Sequence, residues 1–131
     1  MAPAAKGTAR LLLVASVALI VAATTMPWSA YYVGHSHWAR VEWVPFTQRV
    51  RPLDFLLNLL LFVPFGFTAQ TAGQRVQRVV LAATLLSAGV EVFQVYTHGR
   101  LPTTTDVLSN AIGAFLGARW AATRIAHGDR A

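Results

Sequence analysis

The stretch DFLLNLLLFVPFGFTAQTA, residues 54–72, decides the fold. It is almost wholly apolar, and about 20 such residues as a helix cross the hydrocarbon core of a bilayer. Asp54 and Asn58 stand near its start. Pro64 and Gly66 interrupt it, so a kink is expected near its inner half.

Working outward, the pattern repeats on both sides. Arg10 to Ala30 is a second apolar run, preceded by Lys6. A signal peptide is the rival reading of that run, with Trp28-Ser29-Ala30 as the cleavage site. Between the two runs, Tyr31 to Leu53 mixes arginines with Trp38, Trp43 and Phe46, the composition of a segment lying at lipid headgroups. Pro45 and Pro52 argue against one continuous helix there. Beyond residue 72, Gly73–Arg78 is a short basic turn, and Val79–Tyr96 is a further span that contains Glu91. Thr97–Thr105 is a polar turn with Arg100 and Pro102, and Asp106–Ala122 is a shorter fourth span. The expected fold is therefore all-α: a polytopic membrane four-helix bundle with spans at about 10–30, 54–72, 79–96 and 106–122. Residues 1–9 precede this single domain (10–127), and residues 128–131 form a polar tail.

Composition agrees. Of 131 residues, 55% are hydrophobic and only 12% charged, against about 25% charged in a soluble domain. Mean hydropathy is +0.48. The absence of cysteine excludes disulfides, thiolate catalysis and cysteine-ligated zinc. The net charge of +6 comes from basic residues at the ends of apolar runs, not from a basic run interleaved with aromatics, so nucleic acid is not an expected partner. With the N-terminus inside, Lys6, Arg10, Arg75, Arg78, Arg119, Arg124 and Arg130 face the cytoplasm, against Arg40, Arg49, Arg51 and Arg100 outside. That bias places the protein in the cell membrane with both termini cytoplasmic.

The second and fourth spans begin alike, as Asp54-x3-Asn58 and Asp106-x3-Asn110, each with a glycine about three turns on (Gly66, Gly117). Two helical hairpins in parallel repeat would explain the echo. Asn58 and Asn110 lie roughly 6 Å below their helix starts at about 1.5 Å per residue. Glu91 lies at a similar depth on the helix running the other way, with Gln94 one turn above it and Arg100 in the loop over both. Ser87, Glu91 and Gln94 share a helix face. So do Asp106, Asn110, Gly113 and Gly117, and Gly113-x3-Gly117 lets backbones approach closely in lipid. Asp54, Asn58, Glu91, Gln94, Arg100, Asp106 and Asn110 thus form the candidate polar cluster, and Pro64, Gly66, Gly113 and Gly117 the candidate packing positions.

Each residue also has a structural reading. The two aspartates suit helix N-termini. The asparagines suit interhelical hydrogen bonding. Gln94 and Arg100 suit solvated positions. Glu91 is the hardest to explain so, because a carboxylate inside a bilayer costs a few kcal/mol. Arg100 is its expected partner.

The elements Val44-Pro45-Phe46, Asn58-x3-Phe62-Val-Pro64-Phe-Gly66, Ser87-x3-Glu91-x2-Gln94 and Arg100-x5-Asp106-x3-Asn110-x2-Gly113-x3-Gly117 occur in order. Over residues 44–117 the chain resembles the VanZ-like family. Glu42-Trp43 departs from that pattern, where relatives often carry a small polar residue. The resemblance implies a bacterial multi-pass membrane protein. The family's named member is linked to resistance to teicoplanin, a drug that binds cell-wall precursors outside the membrane.

Three functions follow as expectations. The first is binding of a lipid headgroup or cell-wall precursor at an outer-leaflet pocket, modulating the envelope or glycopeptide susceptibility. Arg100 would meet a phosphate or carboxylate there, with Arg49 and Arg51 at the mouth. The second is an enzyme on a lipid-linked substrate using Glu91, Asp54 and Asp106. No nucleophile elbow, zinc-protease motif or phosphate loop accompanies them, so no catalytic residue is assigned and the reading leans away from catalysis. The third is an assembly subunit of a membrane complex, which the small size and the Gly-x3-Gly fit. Expected partners are the lipid bilayer, a lipid-linked or cell-wall ligand, and a second copy of the chain. No cofactor or metal is expected: His35 and His37 are two histidines without further ligands, and His98 and His127 read as lone loop residues.

Overall fold

A computed structural model describes residues 3–26, 34–47, 51–98 and 101–128. Four helices account for most of them: α1 (Pro3–Thr25), α2 (Pro52–Thr71), α3 (Val76–Gln94) and α4 (Thr104–Gly128). A single 3-10 turn, Trp38–Arg40, lies in the connection between α1 and α2. The all-helical expectation holds for the described residues. The spans differ at their ends. α1 starts earlier than residue 10 and stops at Thr25, and the alternative cleavage site at Trp28-Ser29-Ala30 lies outside the described residues. α2 continues through Pro64 as one helix, with the proline on an exposed face.

The distribution of side-chain sizes explains what solvates this bundle. Its buried positions are mainly small: Ala69, Ala83, Ala114, Ala118 and Ala121, with Ser87 and Ser109. Its leucines point outward, and Leu57, Leu60, Leu81 and Leu85 are each more than half exposed. In water that arrangement would forfeit most of the hydrophobic driving force, at about 25 cal/mol per Å² of apolar surface left exposed. In lipid it costs nothing, because acyl chains solvate leucine, and close backbone packing becomes the source of helix association. Three helices are long and apolar enough to cross a membrane: Gly7–Thr25, Pro52–Thr71 and Val76–Gln94.

α4, which the sequence reading takes as a shorter fourth span over 106–122, is not among them. At 25 residues it is the longest helix, about 37 Å at 1.5 Å per residue. Length is therefore not what disqualifies it. Asp106, Arg119 and Arg124 lie within it, and its inward face is glycine, alanine, serine and asparagine, which lower its hydropathy. The same residues make it the best packed helix. A Cβ at Gly113 would fall on the Leu59 carbonyl, and one at Gly117 on the Val63 carbonyl. A Cβ at Gly66 would fall on the carbonyl of Ala114. The partners climb together, Leu59 to Val63 against Gly113 to Gly117, so α2 and α4 run parallel with their backbones in contact. α3 joins them in the opposite direction, and α1 packs chiefly on α2. Ile20, Phe62, Phe65 and Val79 fill the centre between the helices.

The segment 34–47 is fastened across one end of this bundle. The His37 N–H donates to the Val95 carbonyl (2.9 Å) and the Glu42 N–H to the Pro102 carbonyl (2.9 Å). The Glu42 carbonyl accepts from the Thr104 N–H (3.0 Å). Phe46 takes a left-handed conformation, φ 64°, which costs a bulky residue about 1–2 kcal/mol. Its N–H is held by the Thr105 hydroxyl at 3.0 Å. Trp38 and Trp43 stack with their planes 7° apart, both exposed, as suits a headgroup belt.

Candidate functional site: a polar cavity at one end of the bundle

Because α2 and α4 are parallel and in contact, their matching starts lie side by side, and the antiparallel α3 ends beside them. A cavity of about 690 Å³ opens there. It is lined by Asp54 and Asn58 from α2, Glu91 and Gln94 from α3, and Asp106 and Asn110 from α4. Six of the seven residues of the sequence-derived cluster therefore share one cavity. Arg100, the seventh, lies outside the described residues, as does Arg49.

Each side chain is held differently. The Asn110 Nδ2 donates to the Ser87 Oγ at 2.7 Å, tying α4 to α3. Asn110 is only 4% exposed, yet its Oδ1 has no hydrogen-bond partner among the described residues. Gln94, 6% exposed, is no solvated interfacial residue: its Nε2 donates to the Thr24 carbonyl at 3.3 Å and anchors the end of α1. Asp54 is 57% exposed on its side chain and stands 3.9 Å from Arg51.

Glu91 shows how this bundle accommodates a carboxylate. It accepts the Thr103 N–H at 2.8 Å. Thr103 is the residue before α4, and its own hydroxyl accepts the Thr105 N–H at 3.0 Å, capping the helix. In Thr103-x2-Asp106 the usual capping box would have the acidic residue turn back onto the Thr103 N–H. Here Glu91 from the neighbouring helix accepts that proton, at the positive end of the α4 dipole. The cap of α4 is thus Thr103 rather than Asp106, and Asp106 lines the cavity.

Several polar contributors lie outside the sequence-derived cluster, Thr24 and Thr105 among them. Arg40 and Glu42 come from the segment fastened across the bundle end, and Thr103 from the turn. Only the Thr103-x2-Asp106 spacing carried a sequence signal. With them, four of the chain's five acidic residues (Glu42, Asp54, Glu91 and Asp106) line one cavity, beside Arg40 and Arg51. The site presents acceptors for amino or hydroxyl groups within reach of two guanidiniums suited to phosphate or carboxylate.

Beside the cavity, the reading of His98 as a lone loop residue is overturned. Its ring lies 4.9 Å from that of His37 and 5.5 Å from that of His35, centroid to centroid. His35 and His37 are 4.7 Å apart. His37 titrates below the usual imidazole range, first because it is desolvated and then because Arg40 and the two other imidazoles disfavour its charge.

In comparison with known proteins, the VanZ/LLP1 family matches residues 10–125 of the chain. No curated protein and no solved structure matches it.

Proposed function

Because this chain belongs to the VanZ/LLP1 family, we propose that its polar cavity opens at the outer leaflet and takes up a lipid headgroup or the headgroup of a lipid-linked cell-wall precursor. Through that binding the protein modulates the envelope or its susceptibility to glycopeptides. The observation that carries the reading is the convergence of Asp54, Asn58, Glu91, Gln94, Asp106 and Asn110, from three helices, on one cavity of about 690 Å³. A packed bundle in lipid needs no such opening, and intramembrane ionisable groups are functional candidates by default. The positive-inside count supports an outward-facing mouth.

In this reading Arg51 and Arg40 meet the anionic part of the headgroup. Asp106, Asn58 and the Asn110 Oδ1 accept from its amino or hydroxyl groups, and Glu91 holds the start of α4 in register. In the same reading α4 crosses beside α2 as a fourth span, its polar face covered by protein, and both termini lie in the cytoplasm.

The test is drug susceptibility in a sensitive bacterium. Wild type, Glu91→Gln and Asp106→Asn are expressed at equal membrane levels, and inhibitory concentrations of teicoplanin and vancomycin are compared. Glutamine still accepts from the Thr103 N–H, so that variant removes charge and not the cap. A teicoplanin shift with wild type alone supports the reading. Three strains that match the empty vector would overturn the link to glycopeptides.

A further inference from the structure

Three imidazoles meet on the shoulder of the bundle, outside the cavity lining. The His37 N–H bond to the Val95 carbonyl (2.9 Å) pins the 34–47 segment against the end of α3. His98 follows in the turn that ends α3, where the Thr97 N–H and Thr97 hydroxyl both donate to the Gln94 carbonyl (3.0 and 2.9 Å). Two separate anchors therefore deliver His37 and His98 to one place, and His35 stands beside them. One ring nitrogen from each lies within 4.8 Å of those of the others. The His37 Nε2 is buried and has no hydrogen-bond partner among the described residues, an arrangement that costs a nitrogen its full desolvation penalty. A coordinated cation would engage that nitrogen through its lone pair, with the two neighbouring imidazoles in place to share the cation.

We propose that His35, His37 and His98 form a binding site for a borderline transition-metal cation of the Zn²⁺ class, clamping the 34–47 segment to the α3–α4 turn. An all-imidazole donor set selects Zn²⁺, Cu²⁺ or Ni²⁺ over the oxygen-seeking Mg²⁺ and Ca²⁺. A tetrahedral site with Zn–N of about 2.1 Å has edges of roughly 3.4 Å. The ring nitrogens now lie within 4.8 Å of one another, so uptake of the cation requires the exposed His35 and His98 rings to turn inward. Three protein ligands leave the fourth position for water or a ligand atom. The clamp has a structural consequence, because the segment it fixes carries Arg40 and Glu42 into the cavity wall. Arg40 also sets a limit: its charge opposes the cation, so the site is reversible. The inference does not rest on the headgroup reading, since it is decided by metal uptake and not by drug susceptibility.

The test uses the full chain in detergent, purified without a polyhistidine tag and stripped with chelator. Zn²⁺ is titrated by calorimetry, and Co²⁺ is followed by its ligand-field absorption. Wild type is expected to bind one equivalent of Zn²⁺ per chain, to show imidazole-ligated Co²⁺ bands and to melt at a higher temperature with metal. His98→Asn and His37→Gln are expected to lose affinity at least about tenfold, since even outer-shell partners of a metal are worth that much. His127→Asn is the control, because that ring bonds the Thr123 carbonyl (2.7 Å) near the far end of α4. Identical melting of metal-free wild type and variants separates loss of ligand from loss of fold. If a variant's metal-free melt shifts, His35→Asn on the exposed ring replaces it. Equal Zn²⁺ uptake by wild type and His98→Asn, or Mg²⁺ competing on equal terms, would overturn the site.

Discussion

The α2–α4 pair is built on opposite rules at its two ends. From Leu59 to Phe67, glycines let the backbones touch, and a single added Cβ would fall on a carbonyl. Over the turn just before that stretch, Asp54 and Asn58 share a cavity with Asp106 and Asn110, and the same two helices leave an opening between them. At the seam itself the two backbones meet with no large apolar side chain between them, while Phe62 and Phe65 fill the bundle centre beside it. The difference teaches that in lipid the separation of two helices is set by the size of the residues between them. Polar residues are tolerated where a neighbour or an opening satisfies them.

The largest effect belongs to the seam. Gly117→Val puts a branched side chain on the Val63 carbonyl and should cost about 3 kcal/mol or more, at the upper end of overpacking. Unfolding of the purified protein in mixed micelles measures it. A variant as stable as wild type breaks the comparison, because the contact would then not govern assembly.

Ser87→Ala comes next. It leaves the Asn110 Nδ2 unpaired beside the already unpartnered Oδ1, for a loss of about 1–2 kcal/mol. Adding Asn110→Leu should return part of that, so the pair is non-additive in a double-mutant cycle. Strict additivity would show that the polar end is not coupled through this bond.

Thr103→Val removes the cap of α4 and should cost about 1 kcal/mol, with Thr103→Ser close to wild type. Equal losses in the two variants would place the effect in packing and not in the Thr105 N–H bond. Arg51→Gln should be the mildest, within about 0.5 kcal/mol, because its pair with Asp54 is exposed and 3.9 Å long. If the cavity takes an anionic headgroup, the same variant weakens the drug phenotype while stability stays put. That separation sharpens the distinction between a structural end and a binding end.

Much of this was legible from the order of residues. The runs around Leu11–Ala23, 54–72 and 79–96 are apolar over membrane length, and that is a property of each segment alone. The repeated Asp-x3-Asn placed α2 and α4 in parallel, and helical rise placed Glu91 at their depth, so six cavity residues were named without coordinates. Residues 106–122 also read as a span, yet α4 falls short of the apolarity that the other three helices have. Its small inward residues serve contact with α2, and hydropathy weighs a residue as if it faced lipid.

By itself, then, the sequence determined what periodicity and composition can carry: which segments are helices, that lipid solvates them, and which helix faces bear polar groups. Tertiary structure alone decided what depends on residues far apart in the chain. It gave Glu91 the Thr103 N–H, carried Arg40 and Glu42 to the cavity and set His98 against His35 and His37. The physical reason is that these meetings rest on backbone groups: the Thr103 N–H that Glu91 accepts, and the bonds joining the 34–47 segment to Val95, Pro102 and Thr104. Such bonds are made by groups every residue possesses, so side-chain patterns hold no record of them.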